Sequence, residues 1–220
     1  MDKKPKIVAS DLNGTLTTGS PVLAVARWLA ENQPRASLTL FKLKILLTYL
    51  QVKLGMREID IWGEEAMGEV LGLVQSPTSE MLEDIMEYVV EQELWPKRRT
   101  APLSRLNELF RAGATIFILS GAYQPAVEKF AKKMAPERVF GIGTPVAVVE
   151  DAIRMIGPLN SRERKLSNLR AVIGSQQLDT ALGDTFADIP LLEQANCRIA
   201  VHPDRVLLEI AIARGWEVIP

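Results

Sequence analysis

A chain of 220 residues with one cysteine, Cys197, cannot close an internal disulfide, and it fits a reducing, cytoplasmic setting. Charge of one sign is also lacking. With 26 Lys and Arg against 27 Asp and Glu the net charge is −1, which gives no global electrostatic case for nucleic acid. The densest basic cluster, Lys97-Arg98-Arg99, reads as a solvated linker face. No hydrophobic run is long enough to span a bilayer. The most apolar segment, Leu38–Leu54, is broken by Lys42, Lys44 and Lys53. It reads as a buried helix ahead of one lying on a membrane surface. The chain is expected to enter its first strand by about Lys6, with no signal peptide before it. The one histidine, His202, follows an apolar strand and precedes Pro203 at a helix start, so it reads as structural.

What is present suits one domain, or one core domain carrying an insertion. The 47% hydrophobic fraction supports a sizeable packed core, and 24% charged residues is ordinary for a soluble protein. Ile7–Ser10 is a short apolar strand. From Ser20 to Trp95 the pattern is helical throughout, with apolar residues three and four apart over Pro21–Ala30, Leu38–Leu54, Glu58–Val74 and Pro77–Trp95. Ser76-Pro77 reads as a helix start and Trp95-Pro96 as a stop. The Trp and Met residues of this stretch fit helical packing.

After Trp95 strands and helices alternate. The strands are Ala114–Leu119, Arg138–Ile142, Thr180–Leu182 and Arg198–Val201. The helices are Pro102–Ala112, Gln124–Met134, Arg162–Ile173, Ile189–Ala195 and Pro203–Arg214. Val146–Val149 and Ala152–Ile156 form a candidate hairpin. Alternation of this kind predicts a Rossmann-like α/β fold, a doubly wound parallel sheet. The expected division is a core of residues 1–18 and 101–220 with an all-helical insertion over 19–100.

Four polar sites follow apolar runs or open helices, where such a sheet gathers its ligand residues at one edge. Asp11 ends the first strand and is followed by Asn13, Gly14 and Thr15. Ser120-Gly121 follows Ile116–Leu119. Lys165 opens a helix, and Gly183-Asp184 with Asp188 follows Thr180–Leu182. Each alone has a dull explanation as a cap, a turn or a solvated charge. Together they supply a carboxylate nucleophile, a hydroxyl and amides for phosphoryl oxygens, a cation, and carboxylates for a divalent ion.

This ordered set resembles the four motifs of the haloacid dehalogenase-like hydrolases over nearly the whole chain. A helical cap inserted after the first motif is similar to the phosphoserine-phosphatase branch. The resemblance implies a phosphomonoesterase acting on a small or amphiphilic phosphate ester. Asp11 would become an aspartyl phosphate. Asp11, Asp184 and the main-chain carbonyl of Asn13 would hold Mg2+, and Asp188 would orient metal-bound water or the lysine. Thr15, Ser120, Gly121 and Lys165 would bind the phosphoryl group, Lys165 also neutralising its charge. Arg27, Lys42, Lys44 and Arg57 are candidate anion partners, each reading first as a surface charge.

The family motif usually carries a second aspartate where this chain has Asn13. That position normally protonates the leaving group and then activates water, and an amide cannot exchange a proton near neutral pH. Losing such assistance costs about 10²–10⁴-fold in rate. Four readings follow: a slow phosphatase, another use of the site, a metal- and phosphate-binding protein with little turnover, or partial deamidation at Asn13-Gly14 that restores an aspartate.

Overall fold

The computed structural model describes residues 6–34, 36–56 and 58–220. The element order is β1 (Ile7–Asp11), α1 (Pro21–Asn32), α2 (Ala36–Lys53), α3 (Ile59–Gly72) and α4 (Ser79–Val89), which runs into a π-helical turn over Val90–Leu94. Then come α5 (Thr100–Arg111), β2 (Thr115–Tyr123), α6 (Gln124–Met134), β3 (Val139–Thr144), β4 (Val146–Val149) and β5 (Ala152–Met155). The chain finishes with α7 (Glu163–Ile173), β6 (Leu178–Gly183), α8 (Ile189–Glu193), β7 (Ala195–Val201), α9 (Arg205–Arg214) and β8 (Glu217–Ile219).

Six strands form one parallel sheet in the order β3-β2-β1-β6-β7-β8, and β4 and β5 pair separately as an antiparallel hairpin. Strand alternation assigns side chains to the two faces. Val8, Ile116, Ile118, Leu182 and Ile199 point to one face, in the cluster that holds α5 and α6 residues and the inserted helices through Val25, Leu29, Val70 and Ile85. Ile7, Ala9, Phe117 and Leu119 point to the other, packing on Leu169 of α7, Leu192 of α8 and Leu207 of α9. Each large apolar side chain removed from water in this way contributes about 1.5–3 kcal/mol. The fold is thus a Rossmann-like α/β sheet covered on both faces, as the alternation predicted.

Strand order reverses between β1 and β6, which opens a crevice at their carboxyl ends. Asp11 stands at the end of β1 and Asp184 directly after β6. Among the described residues of 20–95 there are helices only, apart from their connections. Where this stretch leaves and rejoins the sheet, the two chain segments are stitched together: Thr18 N–H donates to Lys97 O (3.1 Å), Arg99 N–H to Leu16 O (2.8 Å), and Thr17 Oγ1 to Leu94 O (2.6 Å). Gly19 lies so close to the π turn that a Cβ there would sit 2.7 Å from Glu93 O. Glu93, fully buried, accepts from Ser20 N–H (3.1 Å) and pairs with Arg27 (3.1 Å) and Lys97.

Several sequence expectations change. The helix expected from Pro77 starts at Ser79, capped by Thr78 Oγ1 accepting from Met81 N–H, while Ser76 takes a positive φ of 44°. Helix α2 is not a buried helix: Leu38 and Phe41 are buried, but Leu40, Leu43, Leu46, Leu47 and Leu50 are at least half exposed. It is apolar all round its circumference, and only one side meets α1 and α3. No helix among the described residues is long and apolar enough to cross a membrane. Strand β8, absent from the sequence reading, is three residues long with two of them exposed, too short for periodicity to reveal.

Candidate active site

Burial and like charge dominate the carboxylates at the crevice. Asp11, 4% exposed, receives Lys165 Nζ on Oδ1 at 2.6 Å, and the same ammonium donates to Asp188 Oδ1 at 2.7 Å. Asp188 is fully committed. Its Oδ2 accepts from the backbone N–H groups of Asp184 (3.1 Å) and Thr185 (3.2 Å) and from Thr185 Oγ1 (3.3 Å), closing a capping box on the short turn that follows. Gly183 lets Asp188 pack against the end of β6, where a Cβ would meet Asp188 Cβ at 2.5 Å.

Asp184 accepts from Thr15 Oγ1 on Oδ1 at 2.7 Å. Thr15, expected to bind phosphate, therefore holds Asp184 in place here. Gly14 makes that approach possible: its φ is +94°, and a Cβ would lie 2.0 Å from Asp184 Oδ2. Burial, reinforced by Asp11 and Asp188, pushes the Asp184 carboxyl up to about 8. Burial likewise raises Asp11 to about 6, with Lys165 opposing. Burial works against the charge of Lys165, but the carboxylates of Asp11 and Asp188 outweigh it and hold its pKa above the ordinary lysine range.

This cluster could hold a cation. Oxygens of Asp11, Asp184 and Asp188 all lie within 4.8 Å of one another. Three carboxylates face one ammonium, and Asp11 Oδ2 is buried without a hydrogen-bond partner. An orphaned buried acceptor costs about 1–3 kcal/mol, more when charged, which a hard divalent ion on oxygen ligands would relieve. Asp11 and Asp184 are the residues free to supply ligands, since Asp188 has spent both its oxygens.

Beside Asp11, the side chains of Asn13 and Ser120 form a directed chain. Ala122 N–H donates to Ser120 Oγ (3.0 Å), Ser120 Oγ donates to Asn13 Oδ1 (2.9 Å), and Asn13 Nδ2 donates to Gly19 O (2.9 Å). Gly121 O accepts from Thr144 Oγ1 at 2.7 Å. Asn160, which the sequence reading passed over, is fully buried. It ties the end of β2 to β3 by donating to Ser120 O (3.1 Å) and Ile142 O (2.9 Å). A lone polar residue in a stretch without periodicity carries no signal that would have singled it out.

A cavity of about 300 Å3 opens over Asp11, Asn13 and Ser120, walled by Val22, Ile59, Trp62, Met67 and Leu159. Trp62 and Met67, expected to serve packing alone, therefore line the site. The candidate anion partners are elsewhere engaged or placed. Arg27 pairs with Glu93 and Lys44 with Glu69, Lys42 is exposed on α2, and Arg57 lies outside the described residues.

The chain resembles several known proteins. It is 26% identical over 157 residues to the inhibition of morphological differentiation protein of Streptomyces azureus, a match covering 66% of this chain and 51% of that one. The chain thus spans about half the length of that relative. A Bordetella pertussis protein of unknown function superposes with a TM-score of 0.77 at 20% identity over 99% of both chains. A phosphoserine phosphatase solved as a phospho-aspartyl intermediate analogue superposes at 0.64 with 15% identity, over 99% of this chain and 93% of that one. The family profile of the haloacid dehalogenase-like hydrolases matches residues 8–193, and the chain belongs to that family.

Proposed function

We propose that the protein is a Mg2+-dependent phosphomonoesterase that works through an aspartyl phosphate on Asp11, on a small or amphiphilic phosphate ester. The observation that carries the reading is Asp11 itself: one oxygen held by Lys165, the other without a partner, at the floor of a cavity. The phospho-aspartyl phosphoserine phosphatase with the same fold supports it.

One carboxylate oxygen of Asp11 attacks phosphorus while the other would serve a bound cation, and the bond from phosphorus to the ester oxygen breaks as the new one forms. Lys165 and the Gly121 amide would offset charge on the phosphoryl oxygens. The departing alkoxide takes its proton from solvent, because Asn13 has none to give. Water then attacks the phosphoryl group, and Asp11 leaves as a carboxylate. A bound Mg2+ would lower the repulsion between the incoming ester and the carboxylate cluster. Residues 19–100 act as a cap, with the stitched segment between Thr18 and Arg99 as its base, and the protein works in the cytoplasm.

A second reading, a metal- and phosphate-binding protein with little turnover, draws support from the locked amide of Asn13. Hydrolysis of p-nitrophenyl phosphate with Mg2+ separates the two, using the chain as it stands, Asn13→Asp and Asp11→Asn. The phosphatase reading expects activity in the first, more in the second and none in the third. Folded protein with no activity in either Asp11-containing form would leave the binding reading standing.

A further inference from the structure

We propose that the alcohol portion of the ester is uncharged and apolar, a short alkyl or aryl group, and that a zwitterionic alcohol such as the serine of phosphoserine is disfavoured. The inference rests on the reading of Asp11 as the phosphoryl site. It concerns the space above it.

The walls of the cavity carry apolar side chains, and most of the polar groups nearest to them are already engaged. Trp62 Nε1 donates away to Thr48 Oγ1 at 3.0 Å, and Met67 O accepts from the Tyr123 hydroxyl at 3.2 Å. Ser20 Oγ caps α1 by accepting from Leu23 N–H at 3.4 Å, and both ends of the Asn13 amide are bonded. Among the described residues, Asp11 is the one lining residue with an ionisable side chain. Three cations are paired with carboxylates, Arg27 and Lys97 with Glu93 and Lys165 with Asp11 and Asp188, while Arg99 Nε donates to Gly14 O at 2.8 Å.

An ammonium and a carboxylate brought into such a space would lose their water and gain no partner, a heavy penalty for each. A methylene entering it gains the transfer free energy of leaving water, about a fourfold gain in binding for each one buried. At about 300 Å3 the cavity is at the lower end of ligand pockets, which favours short chains over long ones.

The test needs no turnover. Affinities of ethyl-, butyl- and hexylphosphonate and of 2-amino-4-phosphonobutanoate, the phosphonate analogue of phosphoserine, are measured by calorimetry with Mg2+. The expected result is a rise of about fourfold per methylene from ethyl to butyl, with the amino acid at least about tenfold weaker than butylphosphonate. Ile59→Ser, at a half-exposed position that folding tolerates, should flatten the dependence on chain length. Tighter or equal binding of the amino acid, affinities independent of chain length, or an unchanged slope in Ile59→Ser would each overturn the proposal. The p-nitrophenyl phosphate assay judges the phosphatase reading separately, so failure of one is not mistaken for failure of the other.

Discussion

Ser120 Oγ donates to Asn13 Oδ1 at 2.9 Å, and this bond together with the Gly19 carbonyl fixes the orientation of the Asn13 amide. Gly19 O can only accept, so it takes Nδ2 and turns Oδ1 toward Ser120, whose hydroxyl donates to it while accepting from Ala122 N–H.

This polarity makes Asn13→Asp a specific experiment. In the same pose the new oxygen would confront the Gly19 carbonyl 2.9 Å away, a contact that is favourable only if that oxygen carries a proton. The introduced carboxyl would be held above the usual carboxylate range, the condition a general acid requires. The expected outcome is a rise in turnover of about 10²–10⁴-fold, strongest with poor leaving groups. A folded-state pKa raised in this way adds stability at low pH that is lost as pH rises through it. Thermal unfolding of the variant should therefore match the parent near pH 5 and fall below it at pH 8. Equal rates for the two proteins on an alkyl phosphate would show that position 13 takes no part in proton transfer.

Mg2+ should stabilise the protein more as pH rises. The carboxyls of Asp11 and Asp184 are raised to about 6 and about 8, so the metal-free folded state binds more protons than the unfolded one above pH 4. Their contribution is fully present below the unfolded pKa values and is lost as pH climbs through 6 and then 8. A divalent ion must displace those protons. The Mg2+-induced shift in melting temperature is expected to be small at pH 5, large at pH 8.5 and accompanied by proton release, readable from buffer-dependent binding enthalpies. A shift independent of pH would place the ion elsewhere.

Lys165→Met probes the same balance from the cation side. Removing the ammonium leaves Asp11 and Asp188 buried at 4% and 1% exposure with no positive partner. Breaking a buried pair in this way costs about 3–5 kcal/mol. Urea unfolding at pH 8 should show a loss of that size, recovered in part at pH 5, where protonated Asp11 has no charge to balance. Activity should be absent at both pH values. A variant as stable as its parent at pH 8 would mean that the carboxylates do not depend on Lys165.

The residues gathered at the crevice were legible because each sits at a sequence boundary that physics marks. Asp11 terminates an apolar β-branched run, Ser120 follows another, and Asp184 follows Gly183 after a third. In a parallel sheet all such boundaries fall on one edge, so order along the chain was enough to gather them. The walls of the cavity left no such mark. Ile59, Trp62 and Met67 have the helical spacing that packing also produces, and spacing does not say which apolar face meets a void. Helix α2 failed for the related reason that its apolar residues run all round it, so composition suggested burial where the fold gives only one side a neighbour. Asn160 and the Thr15–Asp184 bond depend on contacts between distant segments, which no local pattern encodes.

The Asn13-Gly14 step, taken from sequence, invites deamidation, and the fold argues against it. Deamidation requires the Gly14 amide nitrogen to attack Asn13 Cγ. In the structure that N–H donates to Thr17 O at 2.7 Å, and Gly14 is fixed at a φ of +94° within the turn. The amide under attack is also held at both ends, by Ser120 Oγ and Gly19 O. The reaction must therefore wait for local opening of a turn that anchors both β1 and the base of the inserted helices, and its rate should follow the population of that open state. Peptide mapping after prolonged incubation at pH 8 should find Asn13 intact in the folded protein and converted in protein held in urea. Equal conversion in the two samples would mean that the turn opens freely, and the ordered Ser120–Asn13–Gly19 chain could not then be what governs proton supply at this site.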